Sequence, residues 1–369
     1  MRLPETPAVL AVRRGVREWV AGQGGRGPVV VGLSGGADSL ALVAAAVVEA
    51  GEVTAVVVDH RLQEGSGEVA ARAAEQAMGL GCVGAMVVPV EVGREGGVEA
   101  AARAARYAAL DSVRDGRPVL LGHTLDDQAE TVLLGLARGS GSRSIQGMVA
   151  WNSPWGRPLL GVRRAQTVQM CADLGIEPWD DPHNADLRYT RVRVRNEVLP
   201  LLEEVLGGGV AKALVRTADQ LRADGAVLDA YADELFRAAR RYGRSPDSAA
   251  VPRPGASGDR SDDTVARGPG TGDRSGSATR SGVDDNDRPA LSTEILATAP
   301  GALRRRAVRL WLADQGIAGL MNAHLQAIDE LVSNWRGQGG VAVGGGSRDH
   351  RLVVTREHGT LAVRAQPRI

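Results

Sequence analysis

Two short stretches carry residues whose types and spacing could do chemistry. The first, Ser34-Gly35-Gly36-Ala37-Asp38-Ser39, lies between the β-branched run 29–33 and the apolar run 40–48. Such a junction predicts a strand, a tight turn and the start of a helix. The turn suits an anion. Its glycines let the backbone approach a phosphate, the first N–H groups of the helix point outward, and Ser34 and Ser39 add hydroxyl donors. Asp38 would repel a phosphate unless a cation stood between them, so it argues for a Mg²⁺–nucleotide complex. An ordinary glycine turn would explain Gly-Gly alone, but not Ser-Gly-Gly-x-Asp-Ser. The stretch is not a Walker loop, because the only lysine of the chain is Lys212. Nor does a Gly-x-Gly-x-x-Gly open the helix, as dinucleotide binding would require.

The second stretch is His123-Thr-Leu-Asp126-Asp127-Gln128-Ala-Glu130-Thr131. Helical spacing puts His123, Asp126 or Asp127, and Glu130 on one ridge. Acids in a first helical turn often only answer the dipole, which would explain Asp126 but neither the histidine nor the glutamate. Between the two stretches, Arg103 and Tyr107 stand one helical turn apart on an alanine-rich segment. Arg138-Gly-Ser-Gly141 ends the later helix with backbone suited to an anion. Arg188, Arg191, Arg193 and Arg195 then cluster around Tyr189. In an extended segment the last three would share one side and could track nucleic-acid phosphates, although a solvated surface is the blander explanation. Trp151, Trp155 and Trp179 could stack on bases, but core packing accounts better for at least two of them.

The elements that must position these residues alternate. Strands are expected over 29–33, 53–58, 82–90 and 118–122, and helices over 68–78, 98–113 and 125–138. That order implies an α/β fold, a Rossmann-like parallel sheet with helices on both faces, whose ligands bind beyond the carboxyl ends of the strands. Residues 34–39, 59–61, the turn after Val90 and His123 onward all fall there. The 369 residues leave room for a second, smaller helical domain. It is expected over 216–242 and 290–337, after a catalytic domain over 1–215, with a closing hairpin over 338–369. Residues 243–289 are almost all Gly, Ser, Asp, Arg and Pro, a low-complexity insertion expected to be disordered.

Forty-four basic and 44 acidic residues cancel, so affinity for nucleic acid must come from local patches. Cys82 and Cys171 form no Cys-x-x-Cys, which argues against a disulfide framework or a cysteine zinc site and fits a cytoplasmic setting. The first helix carries charges unlike a signal peptide. No run is long enough to span a bilayer, so no membrane partner is expected.

The loop 34–39 resembles that of the N-type ATP pyrophosphatases, or PP-loop enzymes, which cleave ATP between its α- and β-phosphates. With Asp59-His60, 99–107, 123–131, Arg138-Gly-Ser-Gly141, Arg157-Pro158, Trp179-Asp180-Asp181-Pro182-His183-Asn184 and 191–200, the chain is similar to the bacterial tRNA(Ile)-lysidine synthases over about its first 215 residues. It departs from them at His183, where the family usually has Ser, and at Val192, usually a polar residue.

The resemblance implies a carbon–nitrogen ligase. It would adenylate the C2 carbonyl oxygen of the wobble cytidine in a tRNA(Ile) with a CAU anticodon and let free L-lysine displace AMP. It further implies ATP at Ser34, Gly35, Gly36, Ala37, Asp38, Ser39, His60 and His123. Mg²⁺ would sit at Asp38, with Asp127 or Asp126 assisting, and Arg103 would answer the developing phosphate charge. Lysine would lie at Asp127 and Glu130, and tRNA along Arg138, Arg188, Arg191, Arg193 and Arg195. Monomer and homodimer both remain open. A PP-loop tRNA thiolase would need cysteine pairs or an iron–sulfur cluster. A non-catalytic adenine-nucleotide sensor would not need 123–130 or the arginines.

Overall fold

The computed structural model describes residues 2–61, 63, 65–93, 97–139, 141–181, 186–242 and 289–368. The chain divides into two compact units, Met1–Ala223 and Asp224–Ile369.

The first unit is built on α1 (Pro7–Gly22), β1 (Val29–Leu33), α2 (Ala37–Glu49), β2 (Val53–Asp59), α3 (Ser66–Gly79), β3 (Gly84–Pro89), α4 (Val98–Val113), β4 (Val119–Leu121) and α5 (Leu125–Arg138). Two very short strands follow, β5 (Trp151–Asn152) and β6 (Trp155–Gly156), then α6 (Arg164–Asp173). The strand order is β3-β2-β1-β4-β6-β5, parallel except for the β5–β6 pair. Side chains of β1 alternate between the faces. Val29, Val31 and Leu33 join a core with α1, α2 and α6, whereas Val30 joins Val56, Leu110, Val119 and Leu121 on the other side. Burial on both faces explains why β1, β2 and β4 read as continuous apolar runs. The chain order reverses between β1 and β4, and that switch point is where an open α/β sheet receives its ligand.

A satellite core sits beside α5. After α7 (Thr190–Arg193), Leu125 and Ala129 pack there with Val194 from a π-helical turn Val194–Val198, Leu199 from α8 (Leu199–Val205) and Ala211 from the start of α9 (Val210–Tyr242). The segment through Arg191, Arg193 and Arg195 is therefore helical and not extended, so the three do not share one side as they would in a strand.

The second unit holds β7 (Leu291–Ser292), α10 (Thr293–Ala297), α11 (Gly301–Asp314), α12 (Asn322–Ser333), β8 (Val341–Gly346), β9 (His350–Glu357) and β10 (Thr360–Pro367). Its sheet is antiparallel, in the order β7-β10-β9-β8. The C-terminal segment is thus a three-stranded meander joined by β7, and not a hairpin. The glycines at the end of β8 hid the extra strand. The meander shares one core with the helices, centred on Leu291, Leu296, Trp311, Leu312, Ile328, Val354 and Leu361. The low-complexity segment lies outside the described residues except for Pro289, whose carbonyl accepts a hydrogen bond from Trp311 Nε1 at 2.6 Å. His183 and Asn184 also lie outside them. Among the described residues no helix is long and apolar enough to cross a membrane.

Candidate active site

The loop after β1 is shaped to leave donors free. Gly35 takes φ +81°, a conformation that suits glycine, and its carbonyl accepts from Trp179 N at 2.9 Å. Gly36 precedes α2 and supplies no side-chain cap, so the first N–H groups of the helix remain available to an anion. Ser39 Oγ accepts from Ser34 N at 3.2 Å and donates to Gly36 O at 2.9 Å. This ties the two ends of the loop together. At the end of β4, a side chain on Gly122 would put its Cβ 3.1 Å from the backbone of Asp38 and Ser39; the glycine lets α2 pass.

Asp38, Asp127 and Glu130 converge on Arg164, which opens α6. Arg164 Nη2 lies 2.6 Å from Asp127, and its Nε and Nη1 lie 3.3 Å from Asp38 and Glu130 respectively. Asp127 closes a capping box with Thr124, accepting from Thr124 N and Oγ1 at 2.8 Å. Glu130 is fully buried and also meets Arg195 Nε at 2.8 Å and Arg191 Nε at 3.2 Å. Thr167 Oγ1 donates to Asp38. Burial raises the Asp38 carboxyl above its ordinary value, opposed by Thr167 and Arg164. Burial also works against the charge of Asp127, but Arg164 and the two donors of Thr124 prevail and hold its carboxyl low.

Asp126 behaves differently from its neighbours. It accepts from Arg163 Nε at 3.1 Å and from Arg164 N at 2.7 Å. It therefore anchors the start of α6, and the ridge through His123 and Glu130 runs by way of Asp127.

His60 follows β2 and His123 follows β4. Both ring nitrogens of His60, and Nδ1 of His123, are buried without a hydrogen-bond partner among the described residues. Orphaned polar atoms at the mouth of a sheet are what a missing ligand would satisfy. Burial pushes the His123 imidazole down to about 4, opposed by Asp127 and reinforced by Arg157, Arg103 and Arg191. His60 is lowered by burial and then by Arg106. Arg103 lies over the Tyr107 ring, 4.9 Å from its centroid, and donates to the phenol oxygen at 3.0 Å. Buried Arg157 reaches the same oxygen at 3.4 Å. Tyr107 is fixed edge-on against Trp155. Trp151 packs in the same manner against Trp19, which leaves Trp179 against the phosphate loop.

The arginine stretch splits. Arg191 and Arg195, one helical turn apart, face Glu130, and Arg191 also donates to Thr131 at 2.7 Å. Arg193 lies on the opposite side, 60% exposed and paired with Glu197; Arg188 is 84% exposed and paired with Asp186. Arg138 is exposed in the last turn of α5.

Sequence reasoning missed Arg163, Arg164 and Thr167. A signal was present, because two arginines starting a helix oppose its dipole by about 0.3–1 kcal/mol each and so call for carboxylates nearby.

The oxygen donors fit Mg²⁺, which takes one or two carboxylates and completes its shell with phosphate and water. Asp38 and Asp127 already share one cation, Arg164. Among the described residues no group of three or more His, Cys, Asp or Glu is placed to hold a metal. Cys82 and Cys171 are buried, their thiols pushed up to about 11 by burial, and neither is a reactive thiolate.

Strand order, loop and switch-point ligand groups define a PP-loop protein, and the PP-loop domain pattern matches residues 12–202. A second pattern, the TilS substrate binding domain, matches residues 291–362. The tRNA(Ile)-lysidine synthase of Nocardia farcinica is 57% identical over 97% of this chain and 98% of its own length. That of Rhodococcus erythropolis is 53% identical over 98% and 97%, and that of Mycobacterium tuberculosis 50% over 91% of each. The chain belongs to the tRNA(Ile)-lysidine synthase family.

Proposed function

We propose that the chain uses Mg·ATP to join free lysine to C2 of the wobble cytidine of tRNA(Ile). The observation that carries this reading is the meeting of Asp38, Asp127 and Glu130 beside the uncapped start of α2. An amide-like C2 carbonyl does not yield to an amine at neutral pH until its oxygen becomes a leaving group. That oxygen attacks the α-phosphate and pyrophosphate departs; the lysine ε-amine then attacks C2, loses a proton and expels AMP. Catalysis of this kind is mostly positioning and charge neutralisation.

The N–H groups opening α2 and the hydroxyls of Ser34 and Ser39 hold the pyrophosphate, while His60 and His123, kept neutral, offer ring nitrogens to the nucleotide. Asp38 and Asp127 hold Mg²⁺, which neutralises phosphate charge. Arg103, positioned by Tyr107, faces the same developing charge. Asp127 and Glu130 seat the lysine ammonium; both already bind guanidinium groups, so the pocket accepts cations. Arg138, Arg188 and Arg193 meet tRNA phosphates. Arg191 and Arg195 serve the acidic cluster first and reach tRNA only through the helix they fix. The rival thiolase reading lacks a usable thiol.

The test is product release from Mg·ATP by the full chain. Pyrophosphate should appear only with tRNA(Ile), and AMP only when lysine is added as well. ATP cleavage indifferent to tRNA would overturn the assignment, as would AMP release indifferent to lysine. Asp38→Ala should abolish pyrophosphate release while the protein stays folded, and unchanged turnover at saturating Mg·ATP would remove Asp38 from the site.

A further inference from the structure

Arg164 is bound in a way unlike a permanent strut. A guanidinium that fixes structure grips one carboxylate through parallel bonds of about 2.7–2.9 Å. Its neighbour Arg163 comes close to this on Asp126, with Nη2 at 2.9 Å and Nε at 3.1 Å. Arg164 instead divides its three nitrogens among three carboxylates, with one bond at 2.6 Å and two at 3.3 Å. The carboxylates do not depend on it for their positions. Thr124 fixes Asp127, Thr167 fixes Asp38, and Arg195 fixes Glu130, with Arg191 paired beside it by charge. What Arg164 adds is charge. Asp38, Asp127 and Glu130 against Arg164, Arg191 and Arg195 sum to zero, and without Arg164 the cluster is one negative charge. Its side chain is 24% exposed, so it has a way out toward solvent. It also starts α6, where the helix dipole disfavours a cation.

We propose that Arg164 is a placeholder cation: it neutralises Asp38, Asp127 and Glu130 before substrates arrive and gives up that position to Mg²⁺ and the lysine ammonium. The proposal rests on the reading of these carboxylates as the Mg²⁺ and lysine seats. Two things follow. The neutral cluster has little pull on stray divalent ions, and the incoming cations must together displace Arg164 from its three partners, so Arg164 sets the apparent affinity for both.

The experiment uses the full chain with magnesium chloride alone, without nucleotide, lysine or tRNA, against sodium chloride of equal ionic strength. Binding is followed by calorimetry and by the shift in melting temperature. Arg164→Gln should bind Mg²⁺ about tenfold more tightly than the parent, because one competing charge within ion-pair range is gone. It should also melt lower without Mg²⁺ and recover more on adding it. Arg164→Lys, which keeps the charge without the fork, should fall between the two. Arg163→Gln, whose partner is Asp126, should leave the Mg²⁺ response at the parent value. Equal Mg²⁺ affinity in the parent and Arg164→Gln would make Arg164 a strut and overturn the proposal. So would a Gln variant that unfolds and does not recover with Mg²⁺. These readouts need no turnover, so a failure of lysidine formation and a failure of the placeholder are separable.

Discussion

His123 shows how one buried side chain ties the site to pH. Its pKa falls from an ordinary value of 6.5 to about 4 in the folded chain. Between those values the unfolded chain binds a proton that the folded chain refuses. Stability from this group is therefore complete above pH 6.5 and is lost as pH falls toward 4, by at most about 1.4 kcal/mol per pH unit. His123→Asn should flatten that part of a stability-against-pH curve measured by denaturant unfolding; an unchanged slope would show that the imidazole is not the group responsible. Gly122 makes a second prediction at this scale. In Gly122→Ala the added methyl meets backbone atoms of Asp38 and Ser39 at 3.1 Å, and a helix start cannot yield as a flexible side chain can. ATP affinity should fall several-fold while tRNA affinity holds, and equal ATP affinity would show that the loop tolerates the shift. The loop 34–39 and the acids of 123–130 stand out as candidates in the sequence because they are picked out by local spacing alone. Arg164 does not, since its meaning comes from Asp38 and Glu130, 126 and 34 residues away.

At the scale of elements, the arginine stretch separates two kinds of cation that the sequence presents as one. Arg191, Arg193 and Arg195 at every second position would share a face in a strand, and Val192 and Val194 are β-formers. The carboxylate of buried Glu130 and the apolar side of α5 outweigh that preference, and the segment winds into α7 and a π turn. Tertiary burial, which local propensity cannot see, decides the outcome. The same holds for β5 and β6, each two residues long and too short to show a period. The split predicts opposite behaviour. Removing Glu130 as Glu130→Gln leaves guanidiniums facing a buried neutral group and should cost about 3 kcal/mol, read as a lowered melting temperature with faster hydrogen exchange over 190–205. Arg193→Ala should leave stability unchanged but weaken tRNA binding, lowering the salt slope by about 0.7–0.9 for one lost phosphate contact. A stable Arg193→Ala with an unchanged slope would take that residue off the tRNA surface.

Over the whole molecule, charge and core are both divided. Formal charges cancel at 44 of each sign, so the chain has no general attraction for polyanions and must hold tRNA by local groups. The alternation that revealed the first unit has no counterpart in the second, where one core draws on four helices and a meander whose glycine-rich first strand resembles a loop. Each unit has its own core: Leu40, Leu42, Leu120 and Met170 in the first, Trp311, Leu312, Ile328 and Leu331 in the second. A ligand that touches only one unit stabilises that unit directly, by about 2.7 kcal/mol at a hundredfold excess over its dissociation constant. Every group assigned to the nucleotide lies in Met1–Ala223. Mg·ATP alone should therefore slow hydrogen exchange in β1, α2 and α5 while α11, α12 and β9 exchange as before. Adding tRNA should slow exchange in both units, because the pattern matched by 291–362 is that of a substrate binding domain. If Mg·ATP alone protected α11 and α12 as strongly as α2, the two cores would open as one, and nucleotide binding would be felt throughout the chain before tRNA arrived.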